Sequence, residues 1–148
     1  MLKKLILAIL CSFLIVAPAY AAGIPRNNVT GPLDIVKSSW QTCAIVMRID
    51  YQTQVTWYRN SSIAIPSTVA WRTSTNTGLA PDRVWYAQVN YGGNNGSYIG
   101  PLQKVTPGYS GSFTAAADFY VNRPAWAIVK LYNSVRTRLC TSTTASSG

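Results

Sequence analysis

Apolar and polar positions alternate with a period of two through much of this chain. In CAIVMRID, Cys43, Ile45, Met47 and Ile49 share one face, while Arg48 and Asp50 lie on the other. In SFTAAADFYV, Phe113, Ala115, Ala117, Phe119 and Val121 share a face opposite Ser112, Thr114, Asp118 and Tyr120. Strands half-buried in an antiparallel sheet are written this way. The segments QVTWY, SIAIPSTVAW, RVWYAQVNY, PAWAIVKLYNS and VRTRLC are rich in β-branched and aromatic residues, as strands are. Turn formers fall between them: Asn60-Ser61-Ser62, Pro81-Asp82, Gly92 to Gly96, Pro107-Gly108 and Asn122-Arg123-Pro124. Arg72 to Pro81 reads as a longer polar loop. Pro66 sits inside one predicted strand and marks an edge, a bulge or a break.

These patterns predict an all-β domain, an antiparallel β-sandwich of seven to nine strands about the size of an immunoglobulin domain. A small closed β-barrel is the alternative. No sustained helical pattern appears beyond the N-terminal apolar run.

That run changes the picture of where the protein works. Lys3 and Lys4 precede the apolar stretch Leu5 to Val16, and Ala19-Tyr20-Ala21 follows as a small-x-small site. This is the pattern of a secretory signal peptide over residues 1–21, cleaved near Ala21-Ala22. The run is short for a membrane span. Cys11 lies within it behind the bulky Leu10, which does not suit lipoprotein processing. The expected organisation is a leader (1–21), one β-domain (22–140) and a flexible polar tail (141–148). No other stretch is long enough to cross a membrane as a helix, so the mature chain is expected to be secreted or periplasmic.

Cys43 and Cys140 remain after cleavage. In an exported chain this pair predicts one disulfide. It closes most of the domain into a loop, which the chain-entropy model values at about 4–5 kcal/mol. It also requires an early strand and the last strand to lie together. Strict alternation puts Cys140 on the face of Arg136 and Arg138, so a bulge near the end or a bridge at the sheet rim is expected.

Charge is lopsided. The chain carries 13 Lys and Arg against 4 acidic residues, a formal charge of +9, with no histidine. Glutamate is absent too; the acids are Asp34, Asp50, Asp82 and Asp118. Without histidine, Ser-His-Asp and Cys-His catalysis and imidazole-held zinc are excluded. No calcium loop, phosphate-cradling motif or dinucleotide fingerprint occurs. Asp50 and Asp118 lie on polar strand faces, where solvated carboxylates belong. No catalytic residue, metal or cofactor is expected. Three sequons, at Asn28, Asn60 and Asn95, read as turn residues under a bacterial-looking leader.

Basic charge favours anionic surfaces. The segment VWYAQVNYGGNNGSYIG, Val84 to Gly100, reads as a β-hairpin. Trp85, Ala87, Val89 and Tyr91 form its core face, and Val84, Tyr86, Gln88 and Asn90 its outer face. An even loop sets Tyr91 opposite Tyr98 and brings Tyr98 and Leu102 into the core; an odd loop flips the return strand. The even loop buries more apolar surface. Trp57 and Trp71 read as core. Trp126 and Ile128 alternate with Ala127 and Val129 on a strand covered on both faces, and Trp40 packs near the first cysteine.

The expected function is a non-catalytic binding protein for an anionic or glycosidic ligand, a glycan or lipid surface at the envelope or outside. Candidate contacts are Tyr86, Asn90, Asn94, Asn95, Arg136 and Arg138. A tyrosine ring stacks on a sugar face, and an amide both donates and accepts. The alternatives are a membrane-active, toxin-like β-protein and a structural or protein-interaction subunit. No nucleic-acid-binding motif is present.

Overall fold

A computed structural model describes residues 23–43, 51–73, 82–142 and 145–147. The leader, Asp50 and the remainder of CAIVMRID beyond Cys43 lie outside the described residues. The chain forms two antiparallel sheets packed as a β-sandwich, not a closed barrel.

Each sheet is built on two long strands. In the first sheet these are β4 (Tyr51–Arg59) and β5 (Ile63–Thr73), paired along almost their whole length. In the second they are β6 (Val84–Gly93) and β11 (Trp126–Tyr132), paired from Tyr86↔Tyr132 to Gly92↔Trp126.

Every flank of these pairs is a strand broken in two. Against β4 lie β2 (Asp34–Lys37) and β3 (Gln41–Thr42); against β5 lie β9 (Gly111–Thr114) and β10 (Phe119–Asn122). Against β6 lie β7 (Gly96–Ile99) and β8 (Gln103–Gly108). Against β11 lie β12 (Arg138–Thr141) and β13 (Ala145–Ser146). The short β1 (Ile24–Pro25) adds to β10.

Two of the breaks are bridged by the same device. Ser38, between β2 and β3, donates its N–H to the Val55 carbonyl, and its Oγ accepts the Val55 N–H (2.8 and 3.0 Å). Ser142, between β12 and β13, does the same with Val129 (2.8 and 2.9 Å). In both cases a hydroxyl stands in for the backbone carbonyl that the break removes. Both serines are buried, so the central strands keep their donors satisfied.

The core lies between the sheets. Tyr51, Val55, Trp57, Ile65, Val69 and Trp71 meet Val84, Ala87, Val89, Tyr91, Val129 and Leu131. Burying each large side chain contributes roughly 1.5–3 kcal/mol. Trp57 and Trp71 are core residues, as their strands predict. The disulfide joins Cys43, beside β3, to Cys140 on β12, with Cα atoms 5.3 Å apart, and thereby ties one sheet to the other. Cys43 also bridges Ser142. The expected bulge is present: Leu131 pairs with Cys140 but Tyr132 with Arg138, so Leu139 is the extra residue that returns Cys140 to the core face.

Several expectations are corrected. SFTAAADFYV is not one strand. It breaks into β9 and β10 because their shared neighbour β5 carries Pro66, which has no N–H to offer. Pro66 itself stays within β5, beside a register shift on β4 between Thr56 and Trp57. Trp85 is only half-buried; a register shift between Val84 and Tyr86 puts Val84 in the core instead. The hairpin loop is even, with Tyr91 opposite Tyr98, and Tyr98 packs on the core. Leu102, however, stays exposed, because the chain leaves the ladder after Gly100, at Pro101, before parity can carry it inside. Trp126 and Ile128 lie on a half-open outer face, so β11 is central in its sheet but covered fully on one side only. Trp40 stacks under the Arg72 guanidinium, 4.1 Å from its ring centroid. Arg72 and Thr73 belong to β5, and residues 74–81 of the loop expected from Arg72 to Pro81 lie outside the described residues. The C-terminal segment is no loose tail where described: Ala145 and Ser146 pair with Ala127 and Trp126, and Ser147 is buried.

Candidate functional site

The outer face of the second sheet collects basic and aromatic side chains in cross-strand rows. Directly paired residues of antiparallel strands project to the same side. Tyr86 pairs with Lys104 on β8 and with Tyr132 on β11, and Tyr132 pairs with Arg138 on β12. This gives one row, Lys104–Tyr86–Tyr132–Arg138. The next row is Gln88–Lys130–Thr141. Further along, Ile99, Asn90 and Ile128 form an apolar-to-polar row.

Arg136 completes the basic end. It lies in the turn between β11 and β12, which Asn133 organises. The Asn133 Oδ1 accepts from Val135 N–H and Thr137 N–H (3.2 and 2.8 Å), and its N–H donates to the Thr137 carbonyl (3.0 Å). An asparagine side chain that captures its own downstream backbone is a turn-forming habit of this residue. Asn133 is itself held from outside, donating from Nδ2 to the Asp82 carboxylate at 3.2 Å. The turn forces Arg136 into the left-handed region, with φ of 62°. That conformation swings its guanidinium back over Tyr86, 5.2 Å from the ring centroid.

Lys104, Arg136 and Arg138 are exposed, and Tyr86, Tyr132 and Lys130 are half-buried. The rings form a floor, and the cations rise from it. No carboxylate stands in these rows among the described residues; Asp82 lies at the rim, against Asn133. Gln88 is anchored, donating to the Gly100 carbonyl at 2.8 Å. Such a surface attracts anions through summed charge and offers ring faces for stacking.

The expected contacts divide. Tyr86, Arg136 and Arg138 come together here. Asn90 lies on the same face, but its Oδ1 is buried and so is not presented to solvent. Asn94 and Asn95 are elsewhere, at the hairpin tip, with one end of each side-chain amide committed. Asn94 donates from N–H and Nδ2 to the carbonyls of Asn122 and Arg123 (3.1 and 3.2 Å), and Asn95 Oδ1 accepts the Asn122 N–H (2.7 Å). They clamp the β10–β11 connection. Lys104, Lys130 and Tyr132 are the residues that sequence reasoning missed. Alternation already placed Lys130 opposite the buried Val129 and Leu131, but only cross-strand register sets it beside Gln88.

Among the described residues, no helix is long and apolar enough to cross a membrane. No family model matches this chain, and no curated protein or solved structure proved significantly similar to it.

Proposed function

We propose that this protein is an exported, non-catalytic binding protein for a polyanionic ligand, and that the outer face of the second sheet holds it. The observation that carries this reading is the row Lys104–Tyr86–Tyr132–Arg138, extended by Arg136 and Lys130. The leader pattern supports export. The disulfide supports an oxidising compartment. The lack of histidine and glutamate supports a role without proton shuttling. The ligand chemistry is phosphate or carboxylate groups spaced along a surface, as on an acidic glycan; a lipid headgroup layer shares that chemistry.

The test compares an immobilised acidic polysaccharide, neutral dextran and phosphatidylglycerol vesicles. Binding is measured at about 0.1 M and about 1 M salt, between which the Debye length falls from about 10 to about 3 Å. Binding to the acidic polymer at low salt is expected, with loss at high salt. The triple substitution Lys104→Gln, Lys130→Gln, Arg138→Gln should weaken it about tenfold, since exposed charge contacts contribute roughly 0.5 kcal/mol each. Vesicle binding without polymer binding would assign the face to lipid, and leakage of vesicle contents would favour a membrane-active role. Undiminished affinity in the triple variant would refute the assignment of this face.

A further inference from the structure

A second opening lies where broken edges of the two sheets face each other. In the first sheet, Pro66 interrupts the ladder, and the chain between β9 and β10 swings out, carrying Asp118. In the second, Gly100 donates its N–H to the Val89 carbonyl (2.9 Å), and the chain then leaves the ladder at Pro101 between β7 and β8. The two gaps create a cleft of about 190 Å³ lined by Tyr91, Tyr98, Gly100, Pro101, Asp118 and Phe119.

The walls are fixed. Tyr98 is stacked between Tyr91 and Phe119, with ring centroids 5.3 and 5.2 Å away. Tyr91 Oη donates to the Phe119 carbonyl at 3.0 Å, across the two sheets. Tyr98 Oη accepts the Gly23 N–H at 2.6 Å. Oriented so that both ends of its amide are paired, Gln103 donates to the Thr114 carbonyl (3.2 Å) and accepts the Ala116 N–H (3.3 Å). It thus ties β8 to the swung-out segment.

The chemistry of this cleft is the reverse of the basic face. Its walls are aromatic residues and backbone in a lining that mixes polar and apolar surface, and the one formal charge in that lining is Asp118, which is exposed. Asp118 has no ion pair among the described residues, although the protein carries an excess of cations. The volume is below the roughly 300 Å³ at which pockets for drug-sized molecules begin. It suits a single small headgroup. A small recess whose lining holds aromatic residues and a single carboxylate favours an organic cation over an anion or a neutral group of the same shape. The geometry points to a second binding site in this cleft, for an organic ammonium group.

This inference is independent of the anion-binding face, and its test is separate. The protein, expressed from its full coding chain, is ¹⁵N-labelled and titrated with choline, with ethanolamine and with the uncharged choline isostere 3,3-dimethyl-1-butanol. Saturable shifts centred on the amides of Gly100, Asp118 and Phe119 are expected with an ammonium compound. The isostere should bind at least about tenfold more weakly, and Asp118→Asn should lower the ammonium affinity by about tenfold. Asp118→Lys, which puts a cation at the mouth, should abolish it. Because Asp118 is exposed, dispersed spectra are expected of both variants. Whether choline or ethanolamine binds more tightly decides between a quaternary and a primary head, and either supports the site. No saturable shift, equal binding of the isostere, or undiminished binding in Asp118→Asn would overturn it.

Discussion

Arg136 is the residue at which local preference and placement conflict. A left-handed conformation costs a non-glycine residue roughly 1–2 kcal/mol, yet this position carries a long cation with φ of 62°. The Asn133 turn imposes the angle, and contact with Tyr86 returns part of the cost. Replacing Arg136 by alanine and by glycine separates the two effects, since both remove the cation. The glycine variant should be more stable than the alanine variant by about 1 kcal/mol in chemical denaturation. Both should lose affinity for the acidic polymer. Sequence could suggest Arg136 as a contact from its charge, but not its angle, because no glycine or proline marks it. Asn94 and Asn95 show the opposite failure. Their composition suggested free amides at a tip, but the neighbouring connection uses those amides to satisfy its backbone. A residue's chemistry is legible in sequence; whether that chemistry is already taken depends on what packs beside it.

Strands, rather than residues, were the most readable unit. The long central strands coincide with predicted segments because alternation and β-branched composition act over the same stretch. The even hairpin was legible for the same reason: parity decides how much apolar surface is buried. Edge breaks were not legible, because each depends on a neighbour. Pro66 interrupts the strands beside its own. Ser38 and Ser142 look like ordinary linker serines until register places them against Val55 and Val129. Their role is testable at this scale. Ser38→Ala or Ser142→Ala leaves a buried N–H without an acceptor, which should cost about 1–3 kcal/mol. Ser39→Ala, at an exposed neighbouring position, should cost under about 0.5 kcal/mol. Equal stability of all three variants would remove the bridging role. The basic face belongs to this level as well. Lys104, Lys130 and Tyr132 come from strands that are neighbours only in the folded sheet.

The molecule as a whole is held by links that cross from sheet to sheet: the Cys43–Cys140 bridge, the core, and the Tyr91 hydroxyl on the Phe119 carbonyl. Cysteine count and the leader-like N-terminal pattern made the bridge legible; the tyrosine link required the three-dimensional arrangement. Burial raises the Tyr91 phenol from 10.0 to about 12, with the Phe119 hydrogen bond opposing that rise. Burial also raises Tyr120. In the unfolded chain these phenols ionise first, near the ordinary value. The stability they contribute is complete below about pH 10 and declines as pH climbs toward about 12. Alkaline denaturation midpoints should therefore fall across that window in the wild-type protein. In Tyr91→Phe the decline should be shallower, and spectrophotometric titration should lose a tyrosine step near pH 12.

The broken flanks of both sheets have a consequence for how the protein behaves in a crowd of its own copies. A straight, uninterrupted border offers an incoming chain a continuous template of hydrogen-bonding groups, and fibrils grow from such borders. Among the described residues the borders are short and stepped, with Pro101 and Pro107 on one and a serine crossing on others. A molecule finished in this way is expected to resist fibre formation even when concentrated, which a dye-binding assay on concentrated protein checks.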